Sequence, residues 1–319
     1  MSNSALDADA DADAVVGPAT AIVSVRPVVL LPSSQRGDDL QLRVTAPQEG
    51  SNLPVVLFSH GFGFSMDAYG PLADFWAAHG FVVIQPTHLD SVSLGLAPTD
   101  PRAPQIWRQR IQDLVYAVDN LDTLVAAVSG LAGRVDANRI AVAGHSYGAT
   151  TASALLGARV LPPAGDADED FSDARISAGV LLCLAGLAAD DLTPIATQMF
   201  PFMNPSFEHM ATPALIVAGD ADQSPLSTRG PDWWLDAYQH SPGSKDLLTL
   251  FGADHALGGI HAYGTVPQSA SDNPLTVALV QRTTTAYLRH ALHVDQTSWP
   301  AAQNDLTHQA SPAGQLVVR

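Results

Sequence analysis

Apolar residues recur along this chain in two rhythms. Six runs, "LPVVLFSHG", "FVVIQPTH", "RIAVAGHS", "ISAGVLLCLAG", "TPALIVAGDAD" and "KDLLTLFGADH", are almost continuously apolar and rich in β-branched residues. That pattern predicts strands covered on both faces. Ahead of them, "AIVSVRPVVLL" and "LQLRVTAP" flank the turn-rich "PSSQRGDD" and predict two further strands. Between the runs the period changes to three and four. It is clearest over 105–129, where Trp107, Ile111, Leu114, Val115, Val118, Leu121, Val125 and Val128 mark one helical stripe. Trp107 in that stripe reads as a packing residue. Helices are also predicted over 66–79, 147–158, 226–240 and 274–293. Strands alternating with helices predict an α/β domain on a largely parallel sheet.

Three stretches leave the rhythm. Residues 1–20 carry an Ala-Asp repeat that buries little and repels itself, which predicts a disordered acidic tail. Residues 294–319 are polar and contain proline, and predict a loosely ordered C-terminal tail. Residues 187–211, "LAADDLTPIATQMFPFMNPSFEHMA", interrupt the alternation and read either as a small cap or pocket wall, or as a packed excursion. The domain itself is expected over 21–293.

Composition narrows the function classes. A net charge of -17 over 319 residues repels phosphate backbones, and no Lys/Arg run offsets it, so nucleic acid is not an expected partner. The single cysteine, Cys183, excludes a disulfide framework within the chain and reads as a buried, inert thiol. No apolar window is long enough to predict a membrane span, and the N-terminal region lacks a basic, apolar leader pattern. A cytoplasmic protein is the expectation, with secretion open if a leader was removed; the oligomeric state is unknown.

The chemistry concentrates at "GHSYG", residues 144–148, a G-x-S-x-G placed between a predicted strand and a predicted helix. There the glycines permit a sharp turn that presents Ser146 as a nucleophile. Backbone N–H groups of the following helix start can then stabilise negative charge. A serine hydroxyl needs a base, and the base needs an orienting acid, in the chain order Ser, Asp/Glu, His. "GDADQSP" offers Asp222 as that acid, with Asp220 as the fallback or a turn-capping residue. "FGADHALGGIHAYG" offers His255 as base, with His261 as competitor. His145 reads as structural. Oxyanion donors are expected from Tyr147 N–H and, in "HGFG" at 60–63, from Phe62 N–H. His60 is expected to brace that loop. Gly61, Gly63, Phe64 and Leu94 read as substrate-facing, with Leu96 nearby and Phe200, Phe202 and Met203 joining if the 187–211 segment folds over. A metal site could recruit His88, Asp90, Asp254, His255 or His261, but no H-E-x-x-H or comparable spacing is present, and no metal or cofactor is expected.

The segments "SHGFGFSMDAYGPLADFWAAHGFVVIQPTHLDS" and "RIAVAGHSYGATT" resemble those of platelet-activating-factor acetylhydrolases and, more loosely, of chlorophyllases and dienelactone-hydrolase-like esterases. The resemblance implies an α/β-hydrolase fold over roughly 21–293, with a mostly parallel eight-stranded sheet. It also implies a cofactor-free serine esterase carried by Ser146, Asp222 and His255, with Phe62 and Tyr147 at the oxyanion. The substrate does not carry over. Chlorophyllases usually place Arg after the serine, where this chain has Tyr147, and dienelactone hydrolases usually use a Cys nucleophile. Neutral short- to medium-chain or aryl esters are expected, with polyester or phospholipid-type esters, or a non-catalytic binding protein of this fold, as alternatives.

Overall fold

The strand β3 (Leu53–Ser59) is buried along its whole length, and its alternate residues enter two different cores. Val56 and Phe58 join one apolar cluster, Val55 and Leu57 the other, as the period of two requires for a strand covered on both faces. This is a computed structural model, which describes residues 15–31, 36–161, 168–188, 190–262, 272–308 and 313–319. The 1–14 part of the expected acidic tail lies outside the described residues. Val16, within the rest of it, is buried in the first cluster.

Among the described residues, one sheet runs in the order β1-β2-β4-β3-β5-β7-β9-β10-β11. These strands are β1 (Ile22–Leu30), β2 (Leu40–Pro47), β4 (Val82–Pro86), β5 (Val135–His145), β7 (Ile176–Leu182), β9 (Ala214–Gly219), β10 (Lys245–Leu250) and β11 (Gly314–Val317), with β3 between β4 and β5. Pairing is parallel from β4 to β10 and antiparallel at β1/β2, β2/β4 and β10/β11. The parallel ladder places every strand's C-terminal end on one edge, where loops gather residues from distant parts of the chain.

Helices cover both faces. On one lie α1 (Gly70–Ala78), α7 (Pro274–Ala291) and α8 (Ser298–His308); on the other α2 (Ile106–Asp119), α3 (Leu121–Ala126) and α4 (Tyr147–Leu155). The stripe predicted over 105–129 is real but interrupted at Asn120, whose side-chain amide donates to Tyr116 O at 2.9 Å. Such local side-chain bonding competes with helix continuation. The helix expected over 226–240 is a 3-10 turn, Pro231–Leu235, followed by α6 (Asp236–His240).

Two expectations are corrected. The sheet has a ninth strand, and the stretch expected as a loose tail supplies it. β11 pairs along β10, and in α8 Trp299, Ala302 and Leu306, spaced by three and four, are buried in the first cluster. The 187–211 segment carries the helix α5 (Pro194–Met199) and the short strand β8 (Pro205–Ser206), which pairs with β6 (Arg159–Val160) apart from the main sheet. No helix among the described residues is long and apolar enough to cross a membrane.

Candidate active site

Ser146 stands between the end of β5 and the start of α4, at φ 56° and ψ -122°, a region that L-residues rarely occupy. The flanking glycines are sterically required. A Cβ on Gly144 would lie 2.2 Å from Gly148 O, and one on Gly148 would lie 1.9 Å from Ser59 O. The strand-to-helix corner therefore packs backbone against backbone, and its tip carries the serine.

Loops following β9 and β10 bring two partners to that tip. His255 Nε2 lies 2.9 Å from Ser146 Oγ, and His255 Nδ1 lies 2.8 Å from Asp222 Oδ2. With Asp222 ionised, Nδ1–H donates to the carboxylate and Nε2 is left to accept the serine proton. The His255 side chain is 42% exposed and that of Asp222 1%, so the imidazole faces solvent while its acid is sealed behind it. Trp234 donates its indole N–H to Asp222 O at 3.0 Å and stacks obliquely near His255. Asp222 Oδ1 is buried and accepts no hydrogen bond among the described residues. The Cys183 thiol is nearby, its pKa raised by burial first and by the Asp222 charge second, and it stays protonated. Of the two competitors, Asp220 caps a turn by accepting Gly252 N–H at 2.6 Å. His261 lies in the same loop region as His255, facing Phe64.

The loop 60–63 is clamped residue by residue. His60 Nδ1–H donates to Gly61 O at 2.7 Å, since its Nε2 accepts His88 N–H at 3.0 Å. Gly61 O also accepts Phe64 N–H. Because the peptide is planar and trans, fixing the Gly61 carbonyl fixes the opposite direction of Phe62 N–H. Gly61 N–H donates to Tyr69 Oη at 3.0 Å, and Gly63 N–H to Asp90 Oδ2 at 3.1 Å. Neither Phe62 N–H nor Tyr147 N–H has an acceptor among the described residues, which leaves both available beside Ser146.

Beneath the loop lies a charged layer that the sequence pattern did not single out. Arg110, fully buried, donates to Asp90 Oδ1 at 2.6 Å, to Thr151 Oγ1 at 3.0 Å and to His60 O. Its guanidinium lies 4.3 Å from the centre of the Tyr147 ring. One side chain thus joins the loop 60–63 to α4. Burial alone would raise Asp90, but the Arg110 guanidinium outweighs it and holds the carboxyl at about 2. His60 and His88 are held well below the usual histidine range by burial and by Arg110, so both are neutral. Arg110 sits three residues after Trp107 and four before Leu114. A charge on the apolar stripe was the available signal.

Two spaces open beside Ser146. A cavity of about 490 Å³ lies on the His255 side, lined in part by Phe64, Gln223, Asp254 and His261. A recess of about 70 Å³ lies on the Ser146 side, walled by Phe62, Tyr147, Phe200, Phe202 and Met203. The 187–211 segment therefore forms a pocket wall. Phe64 lines the larger space; Leu94, on the turn Val92–Leu94, lines neither. Gly61 and Gly63 act through the backbone contacts above. The donor atoms of His145, Cys183 and His255 lie within 4.8 Å of one another. A metal there would have to displace the hydrogen bonds that occupy both imidazoles.

Sheet order, the strand-to-helix corner and the helices on both faces define the α/β-hydrolase fold. The Chlorophyllase family model matches residues 22–160, a span that includes the loop 60–63 and Ser146 and ends before Asp222 and His255. The chain is 32% identical over 120 residues to Chlorophyllase type 0 of Chenopodium album, covering 36% of this chain and 31% of that protein. The match thus spans about a third of that relative's length.

Proposed function

We propose that the protein is a serine carboxylic-ester hydrolase acting through an acyl-enzyme. The observation that carries this reading is the unbroken line from Ser146 Oγ through His255 to Asp222 Oδ2, with spacings of 2.9 and 2.8 Å. His255 takes the Ser146 proton as Oγ attacks the ester carbonyl. Phe62 N–H and Tyr147 N–H receive the oxyanion, and His255–H⁺ protonates the departing alcohol. Water, deprotonated by the same imidazole, then releases the acid. Asp222 holds the ring's tautomer and stabilises its charged form.

The leaving alcohol must lie where His255 can protonate it, so the larger cavity receives the alcohol and the narrow aromatic recess the acyl group. Neutral esters with short to medium acyl chains, or aryl esters, fit this division. A strongly acidic protein disfavours anionic ones. The likeness to a chlorophyllase supports ester hydrolysis in general.

The test is p-nitrophenyl ester hydrolysis across acyl lengths, with Ser146→Ala as control. The wild type is expected to prefer the short end and to react with a fluorophosphonate, while Ser146→Ala, equally folded by circular dichroism, loses both activities. Undiminished hydrolysis by the variant would refute the reading.

A further inference from the structure

A chain of three hydrogen bonds, two of them buried and the last part-buried, links the backbone of the oxyanion loop to the backbone of His255. Gly61 N–H donates to Tyr69 Oη at 3.0 Å, Tyr69 Oη lies 3.0 Å from His145 Nδ1, and His145 Nε2 lies 2.8 Å from His255 O. The direction of every proton follows from the ends. A backbone carbonyl only accepts, so His145 Nε2 carries the hydrogen. Burial holds His145 well below the usual histidine range, so the ring is neutral and Nδ1 accepts. Tyr69 Oη therefore accepts from Gly61 and donates to His145, which uses its one proton and one lone pair.

We infer that Tyr69 and His145 are positioning residues that set the base and the oxyanion loop in one register. The inference rests on the reading of Ser146 and His255 given above. Tyr69 Oη also defines the space at Gly61, where a Cβ would lie 2.8 Å from it. Tyr69 borders neither space beside Ser146 and His145 borders the larger one, but their role runs through the two backbone segments they hold. They fix two backbone segments, the loop 60–63 and the backbone of His255, and small misplacements of either weaken the alignment on which acyl transfer depends. His145 ends β5 next to the nucleophile, and its buried ring reaches both segments.

The experiment measures kcat and KM for p-nitrophenyl acetate, and the fluorophosphonate labelling rate, in Tyr69→Phe, His145→Leu, His145→Gln and the Tyr69→Phe/His145→Leu double variant. All assays run well below each variant's melting midpoint. Tyr69→Phe removes one oxygen and is expected to lower kcat about 10- to 100-fold, up to the cost of a misplacement of about 1 Å, with KM little changed. His145→Leu should do the same, the double variant should be no worse than the poorer single, and His145→Gln, which can both donate and accept, should recover most of the loss. If His145→Leu does not fold, Tyr69→Phe and His145→Gln decide alone. Unchanged kcat in folded Tyr69→Phe, with only a lower melting midpoint, would overturn the inference, as would losses that multiply in the double variant. Ser146→Ala separates the two readings. If it is inactive while Tyr69→Phe is fully active, only the positioning inference fails; if it is active, the esterase reading fails.

Discussion

At the scale of single residues, the site is built by what cannot be added. Gly148 lacks a Cβ because β3 passes under α4 at backbone contact, with Ser59 O 1.9 Å and His60 O 2.7 Å from where that carbon would be. Gly148→Ala must push the helix off the strand, and we expect a loss of about 3 kcal/mol or more, beyond ordinary overpacking. Gly230→Ala, where the nearest atom is 3.5 Å away, should be nearly neutral. Chemical denaturation of the two variants compares them directly, and equal midpoints would show that the corner is not the tight contact described. At this scale the sequence is informative where a local motif marks the residue: G-x-S-x-G marks Ser146, the loops after two predicted strands rank Asp222 and His255 first, and those three side chains meet. It is silent on Tyr69 and on its bond to His145, because no local motif marks Tyr69 and a structural reading of His145 names no partner. Asp220 and Asp222 could be ranked from the sequence but not separated. The fold separates them by burying one and leaving the other to cap a turn.

Among the elements, the loop 60–63 depends on a helix that looked like plain packing. Arg110 of α2 and Asp90 hold it from below, both nearly inaccessible. With its folded pKa at about 2, below the ordinary 3.8, Asp90 is a depressed acid. Its contribution is complete above about pH 4 and is lost as the pH falls from there through 2, amounting to about 2 kcal/mol. Asp90→Asn leaves Arg110 buried without its countercharge, which costs about 3 kcal/mol near neutrality. Urea titrations of wild type and variant at a series of pH values should show a gap at pH 7 that narrows steadily between pH 4 and pH 2. A gap independent of pH would mean that Asp90 contributes shape rather than charge. The element types along the sheet were readable because buried strands and amphipathic helices have distinct periods. The stop at Asn120 and the 3-10 turn at Pro231–Leu235 were not, since single-turn hydrogen bonding decides both.

For the whole molecule, the question is what seals the far edge of the sheet. The parallel ladder would end at β10, the strand that leads to His255, with a row of open hydrogen-bonding groups, the kind of edge that recruits other chains. β11 closes it over Leu247–Leu250, and α8 covers the adjoining face with Trp299 and Leu306. The sequence concealed this because "GQLVV" is short and "SWPAAQNDLTH" carries a proline at its third position, yet Pro is at home in a helix's first turn and Trp299, Ala302 and Leu306 do keep helical spacing. Deleting residues 298–319 should therefore cost about 3–5 kcal/mol, on the scale of removing one buried Trp, and make the protein self-associate in size-exclusion chromatography. Turnover per fluorophosphonate-titrated site should stay close to the full chain's, because β5, β9 and β10 keep their parallel pairing with β7 and one another. The two readouts test different things. Loss of stability without loss of turnover assigns the C-terminal segment to the sheet edge. Loss of turnover per titrated site at full stability would instead assign it to the loop that carries His255.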